Sequence, residues 1–364
     1  MIVSAFRMRN TSAGMDTEIE NEKKSPRSLR DLAQMAGTST ATVSRVLANR
    51  GTVRQHLREK VLSLVRETGY VPNASASALA RRRFGPQGLR HRNLAVALLA
   101  ATDTAFGRLW DETYDGILDA ANELHLGVSL CLVRPDEMHN GSVPASLMRI
   151  PCDGILASHP QGYALPAFNT VAPTVLIGGT WMRDPRFPSV EQDDEAGILA
   201  LLAYLRGLGH ERFEFVPATL AHQAYARRAE AFRAEAARRN LSATVAEPVG
   251  DRMEAYAAEF AKRPPNARPT ALMVSSDGPA VSLLHALLKA GVKTPREVSV
   301  VGFDGRPWGK DSVPPLTSWH VDWRQMGKRA VRSLVDLVSG EPPPSRILIG
   351  GNLLERDSAA PPPG

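Results

Sequence analysis

Thirteen Lys and Arg side chains fall between residues 25 and 92, against three Asp and Glu, a local net charge of +10. The chain of 364 residues carries +6 overall. Residues 1–24 are balanced, and residues 93–364 are mildly acidic at −4. A basic excess confined to one segment has the form of a module that holds a phosphate backbone, whereas a merely solvated surface spreads its Lys and Arg. Other chemistry is hard to assemble. Two cysteines, Cys131 and Cys152, exclude a disulfide scaffold and a four-cysteine metal site. Nine histidines include no pair at the H-E-x-x-H spacing. There is no G-x-S-x-G elbow, no P-loop and no G-x-G-x-x-G. No cofactor or metal is expected, and an enzyme has no positive support.

The elements that position the basic side chains follow from apolar spacing. Leu29, Leu32, Ala33 and Ala36 recur at i, i+3, i+4 and i+7, which predicts a helix that Gly37 stops. Thr38 or Ser39 offers an N-cap for a second helix to about Leu47, with Val43, Val46 and Leu47 on its apolar side. Leu57, Val61, Leu64 and Val65 predict a third helix ending at Gly69. Three short helices with a tight turn between the first two make a helix-turn-helix head over 25–73. Pro72 stops the third helix, Asn73 can cap a short one over Ala74–Arg83, and Gly85, Pro86 and Gly88 read as linker. The hinge helix and linker thus cover 74–92.

Beyond Leu94 strand-like runs (94–100, 127–133, 154–157, 174–177, 212–216, 271–275, 298–303) alternate with helical runs (109–124, 224–240, 280–290). That rhythm predicts parallel sheets covered by helices on both faces, in two α/β lobes over 93–358. A ligand crevice is expected at the carboxyl ends of the strands. Residues 1–24 read as a disordered tail and 359–364 as a frayed end. No apolar run approaches the ~18 residues of a membrane span. Met1–Phe6 lacks the apolar length of a secretory signal, so the cytoplasm is the default.

The segment Leu32–Leu47, with Arg58-Glu59-Lys60-Val61, Gly69-Tyr70-Val71-Pro72-Asn73, Leu79 and Ala80, resembles the head of the lac-repressor (LacI/GalR) family. Gly207-Leu208-Gly209-His210, Pro269-Thr270-Ala271, Val298–Asp304 and Pro314-Pro315-Leu316-Thr317 look like landmarks of its body. The resemblance spans about 28–358. It implies an all-α helix-turn-helix DNA-binding head with a hinge helix, then a two-lobed periplasmic-binding-protein-like effector domain. It also implies a homodimer on a near-palindromic operator in double-stranded DNA, and a small-molecule effector of sugar type.

By resemblance, Thr40, Ala41 and Arg45 read bases in the major groove. Arg45 can give guanine a bidentate contact, and Ala41, where many relatives carry a longer polar side chain, reads only methyl groups or by exclusion. Ser39, Thr42, Ser44, Thr52 and Arg54 would contact phosphates. Leu79 would wedge into the minor groove, with small Ala76 and Ala80 letting two hinges approach. In the crevice, Arg228, Asp277 and Asp304 match ligand-binding positions, and Phe106, Trp110, Tyr225 and Trp308 could stack on a sugar face or pack as core. Ser276 stands where several sugar-binding relatives have Asn, Gly178 where some have Asp, and Val321 where some are polar. Those departures leave a different effector, a bulkier one, or none. A periplasmic-type sugar-binding protein shares the two-lobed fold without the head, and a sugar-modifying enzyme would need a nucleophile or an acid–base pair.

Overall fold

The computed structural model describes residues 28–47, 53–68, 89–99, 111–133, 143–157, 168–178, 187–341 and 343–363. The chain divides into two units, Met1–Ala80 and Arg81–Gly364.

Among the described residues the first unit holds three helices: α1 (Leu29–Ala36), α2 (Thr40–Leu47) and α3 (Gln55–Thr68). Ser28 and Asp31 close a reciprocal capping box at the start of α1. Gly37, at φ 69°, ends it in the left-handed conformation, where its N–H reaches back to the carbonyls of Ala33 and Gln34. Ser39 caps α2, its hydroxyl accepting from the Thr42 N–H at 3.1 Å. Leu32, Ala33, Ala36, Val43, Val46 and Val61 fill the core between the helices.

In the second unit, lobe 1 holds β1 (Asn93–Leu99), α4 (Asp111–Glu123), β2 (Gly127–Val133), α5 (Ala145–Met148), β3 (Gly154–Ala157), β4 (Thr174–Ile177) and β5 (Ser189–Gln192). Lobe 2 holds α6 (Asp194–Gly207), β6 (Arg212–Val216), α7 (Gln223–Arg238), β7 (Ser242–Val245), α8 (Met253–Lys262), β8 (Ala271–Val274), α9 (Asp277–Lys289), β9 (Ser299–Asp304) and β10 (Thr317–Val321). The chain then returns to lobe 1 with α10 (Trp323–Val338) and β11 (Arg346–Ile349), and ends its strands in lobe 2 with β12 (Gly351–Leu354). The sheets run β11-β5-β4-β3-β1-β2 and β12-β10-β9-β8-β6-β7. Every pairing is parallel except β10 with β12. Three crossings therefore join the lobes: after β5, after β10, and at Gly350 between β11 and β12.

The expected α/β architecture is present, with strand ends displaced by a residue or less. Helix α10 crosses α4 at two facing glycines. A methyl on Gly116 would overlap the Arg324 carbonyl, and one on Gly327 would overlap that of Thr113. Only backbone-to-backbone approach fits there.

Two expectations need correcting. Residues 89–92 are not free linker: Leu89 is buried, and the N–H groups of Arg90 and His91 donate to Asp153 Oδ1 at 2.6 and 2.8 Å. Residues 359–363 are not frayed either. Ser358, fully buried, accepts from Thr317 N–H, and Ala360 accepts from His210 and Ser299. Pro-rich composition suggested fraying, but buried partners supply the hydrogen bonds that hold the end down. The predicted tail 1–24 and hinge 74–88 lie outside the described residues.

Candidate functional site

On α2 the side chains sort by face. Val43 and Val46 are buried in the core, while Thr40, Ala41 and Arg45 are exposed on the opposite arc. Ser39 is exposed, and Thr42 and Ser44 are half-buried. Ser39 Oγ and Thr42 Oγ1 lie 3.0 Å apart, so this pair fixes the start of the helix besides facing outward. Arg54 is exposed where α3 begins, its carbonyl accepting from Leu57 and Arg58. Helix propensity and one apolar stripe thus leave a short polar face with a single long cation, which suits a groove lined with acceptors. Thr52, Ala76, Leu79, Ala80, Phe106 and Trp110 lie outside the described residues.

The second cluster gathers at the carboxyl ends of the lobe 2 strands. Arg228, on the inner face of α7, is 2% exposed. Its Nε donates to Asp194 Oδ1 at 2.8 Å, Nη1 to the Ser275 carbonyl at 2.6 Å, and Nη2 to Asp304 Oδ1 at 3.2 Å. The guanidinium lies 3.6 Å from the Phe303 ring centroid. Asp304 ends β9 at φ 112°, a backbone conformation costly for any residue with a Cβ. Its carbonyl accepts from Trp323 Nε1 at 2.9 Å. Burial pushes the Asp304 carboxyl upward, opposed by Arg228 and Arg306.

Ser276 and Tyr225 share a hydrogen bond at 3.0 Å. Tyr225 stacks on His222 with centroids 4.1 Å apart. Burial first, then the charges of Arg228 and Arg227, hold His222 down to about 3, so this imidazole is neutral. Trp308 is half-buried beside Gly278.

Asp277 is brought to the same place but faces inward. It is completely buried, with Oδ2 accepting from the Arg306 N–H at 2.6 Å and Oδ1 from Ser318 Oγ at 2.5 Å. Burial and then Asp304 raise it to about 7. Its expected place among the ligand-facing groups is therefore corrected: it braces the turn after β9 against β10. Val321 is likewise wholly buried, in the main core. At Gly178, φ 86°, an added Cβ would meet no described atom within 4 Å.

Several members were not expected. Asp194, 5% exposed at the start of α6, holds both Arg228 and Arg227, the latter at 3.0 Å. Arg306, 2% exposed, lies over the Trp323 ring at 4.2 Å. The adjacent pairs Asp193-Asp194 and Arg227-Arg228 were visible, but nothing in their 34-residue separation said they meet. Among the described residues there is no group of three or more His, Cys, Asp or Glu suited to a metal, and no helix long and apolar enough to cross a membrane.

Comparison with known proteins bears on both clusters. The family described as bacterial regulatory proteins, lacI family, matches residues 28–73, and the periplasmic binding protein-like domain matches 202–359. The ribose operon repressor of Escherichia coli is 26% identical over 343 residues, covering 91% of this chain and 99% of its own. In both of these parts the chain is similar to the LacI family. The lactose operon repressor of Escherichia coli is 24% identical over 339 residues, covering 93% and 92% of the two chains. A lac repressor dimer solved with operator and the anti-inducer ONPF has the same fold, with a TM-score of 0.68, 23% identity, and 92% and 99% of the chains covered. The lacI-family match contains the first cluster, and the periplasmic binding protein-like match contains Arg228, Asp277 and Asp304 of the second.

Proposed function

We propose that this chain is a transcriptional repressor that binds a near-palindromic operator as a homodimer and yields or tightens its grip when a small polyhydroxy effector enters the crevice. The observation that carries the reading is the pairing, in one chain, of an outward-facing α2 with a crevice built around Arg228 and Asp304. Thr40, Ala41 and Arg45 read base edges, while Ser39, Thr42, Ser44, Thr52 and Arg54 set register on the phosphates. Ala76, Leu79 and Ala80 enter the minor groove from paired hinges.

A vicinal diol suits the crevice. One hydroxyl donates to Asp304 and a neighbour accepts from Arg228, with Ser276 flanking and Phe106 assigned to the effector by resemblance alone. Asp277 supports this set from behind. The operator and sugar repressors named above support DNA and sugars as the partners. A symmetric operator requires a two-fold dimer. Edge strand β2, with Leu130 and Leu132 each 58% exposed, offers apolar surface for one. No catalysis is assigned. The protein acts in the cytoplasm, where its operator is.

The effector controls DNA only through differential affinity for two lobe arrangements. The three crossings, after β5, after β10 and at Gly350, are where such a rearrangement would bend. The test is selection of bound sequences from random DNA at several salt concentrations. A pseudo-palindrome with a fixed centre supports the reading. Salt-sensitive binding with no enriched sequence would reduce the head to a phosphate holder and refute it.

A further inference from the structure

A cavity of about 420 Å³ sits at the third crossing between the lobes, where β11 gives way to β12 through Gly350. That volume falls in the range of small-molecule sites. Both lobes supply its walls. Asp322, Gln325 and Arg329 line it from the start of α10, Ile347 and Leu348 from β11, and Asn352 from β12. None of the crevice groups Arg228, Ser276 and Asp304 lines it.

The charges on these walls are not spent on one another. Asp322, Gln325 and Arg329 fall at i, i+3 and i+7, one face of a helix. Seven residues of helix rise about 10 Å, beyond the i+3 and i+4 spacing at which side chains pair. Asp322 Oδ1 caps α10 by accepting from the Gln325 N–H at 2.8 Å, which leaves Oδ2 open to a second donor. The other cations of α10 are engaged. Arg324 and Lys328 reach Asp119 of α4 at 2.7 and 3.1 Å, and Arg332 reaches Glu123 at 3.1 Å. Arg329, half-buried, has no such partner among the described residues. Asn352 Nδ2 makes one long bond of 3.4 Å to the Leu353 carbonyl, and its Oδ1 has no partner among the described residues. Leu348, 43% exposed, adds an apolar strip beside these groups.

Charge decides the occupant. An anion at Arg329 alone would also face the Asp322 carboxylate, and a cation at Asp322 would face Arg329. A small molecule that carries both charges answers both. We propose that this cavity is a second ligand site, separate from the effector crevice, that takes a free amino acid. Arg329 holds its carboxylate, Asp322 Oδ2 and Asn352 Oδ1 accept from its ammonium, and an apolar side chain lies along Leu348. The bound molecule touches α10 and β11 of lobe 1 and β12 of lobe 2 together. It therefore favours the lobe arrangement that keeps Asn352 opposite α10, and through that preference it shifts the equilibrium on which operator binding depends.

The test uses the full chain. Leucine, phenylalanine, alanine and γ-aminobutyrate are titrated by calorimetry to about 10 mM, a range that reaches millimolar affinities. Each is compared with its two single-charge analogues, for leucine the uncharged-end amide leucinamide and the deaminated acid 4-methylpentanoate. At least one amino acid is expected to bind about tenfold or more tightly than both of its analogues, the scale of a charge-assisted contact. Arg329→Met and Asp322→Asn should each weaken it by about tenfold, and Arg329→Lys should restore part of the loss. Asparagine caps a helix as well as aspartate does, so Asp322→Asn keeps α10. Saturating amino acid should then change affinity for the selected operator fragment by about fivefold or more. No binding by any of the four, single-charge analogues that bind as well as the parent, or affinity untouched by both variants would each overturn the site. An operator affinity that ignores the bound amino acid would overturn its regulatory role. Direct binding is read without DNA, so a failure of operator selection would strike the regulator reading alone.

Discussion

Replacing Arg228 by Met isolates what the buried ion cluster contributes. The guanidinium is 2% exposed and makes three hydrogen bonds, two of them to carboxylates. Removing one member of such a cluster strands the others away from water, at a cost of about 3–5 kcal/mol. The two carboxylates are not equally stranded. Asp194 keeps Arg227 at 3.0 Å. Asp304 loses the cation that most opposes its burial, and its already raised carboxyl rises further. A neutral carboxyl escapes part of the penalty, so at neutral pH the cost should lie near the lower end, about 3 kcal/mol. The sign with pH follows. A carboxyl raised in the folded state binds a proton there that unfolding releases, so stability of the variant falls as pH climbs from about 4. Guanidinium denaturation at pH 6 and pH 9, read by tryptophan fluorescence, measures both. Adding Asp304→Asn to the variant should recover about 1 kcal/mol or more at pH 9, since no charge is then stranded. A single variant within about 0.5 kcal/mol of the parent, or a cost independent of pH, would refute the reasoning.

Further expectations concern the head, the helix crossing and the anchored end. Arg45→Ala should weaken the selected operator by about 1–3 kcal/mol and relax preference at one base pair. Equal weakening on random DNA would make Arg45 a phosphate contact. Gly327→Ala should lower the denaturation midpoint by about 1–3 kcal/mol of overpacking, more than the roughly 1 kcal/mol that alanine gains in a helix; a stabilised variant would show that α4 and α10 do not cross backbone to backbone. His210 is held neutral by burial against Thr270, Ser299 and Ala360, its affinity for a proton lowered. Its contribution is complete above the unfolded value of about 6.5 and lost as pH falls below it, so His210→Gln should flatten stability between pH 7.5 and 5.5. An unchanged slope would assign the acid sensitivity elsewhere.

Local signals were enough for the head. Apolar spacing, Ser28, Gly37 and Ser39 each act within one or two turns, so α1, α2 and α3 could be read from adjacent residues. The same holds for strands such as Gly154–Ala157 and Arg212–Val216, where a short apolar run needs only to be buried. Their alternation with helices predicted two parallel lobes. It did not show that α10 and β11 return to lobe 1, or that β12 closes the second sheet antiparallel; those pairings join residues far apart in sequence, such as Ser189 with Arg346. The crevice was legible only in part. Arg228 and Asp304 were expected from resemblance, but Asp194 and Arg306 were not, because a buried charge declares itself through its partner and not through its neighbours in sequence. Asp277 was misplaced for the same reason, since the donors that turn it inward come from residues 306 and 318. Short-range hydrogen bonding and apolar periodicity are written in the chain. Which charges meet, and which carboxylate is spent on holding a turn, is decided when the sheets bring distant strand ends together.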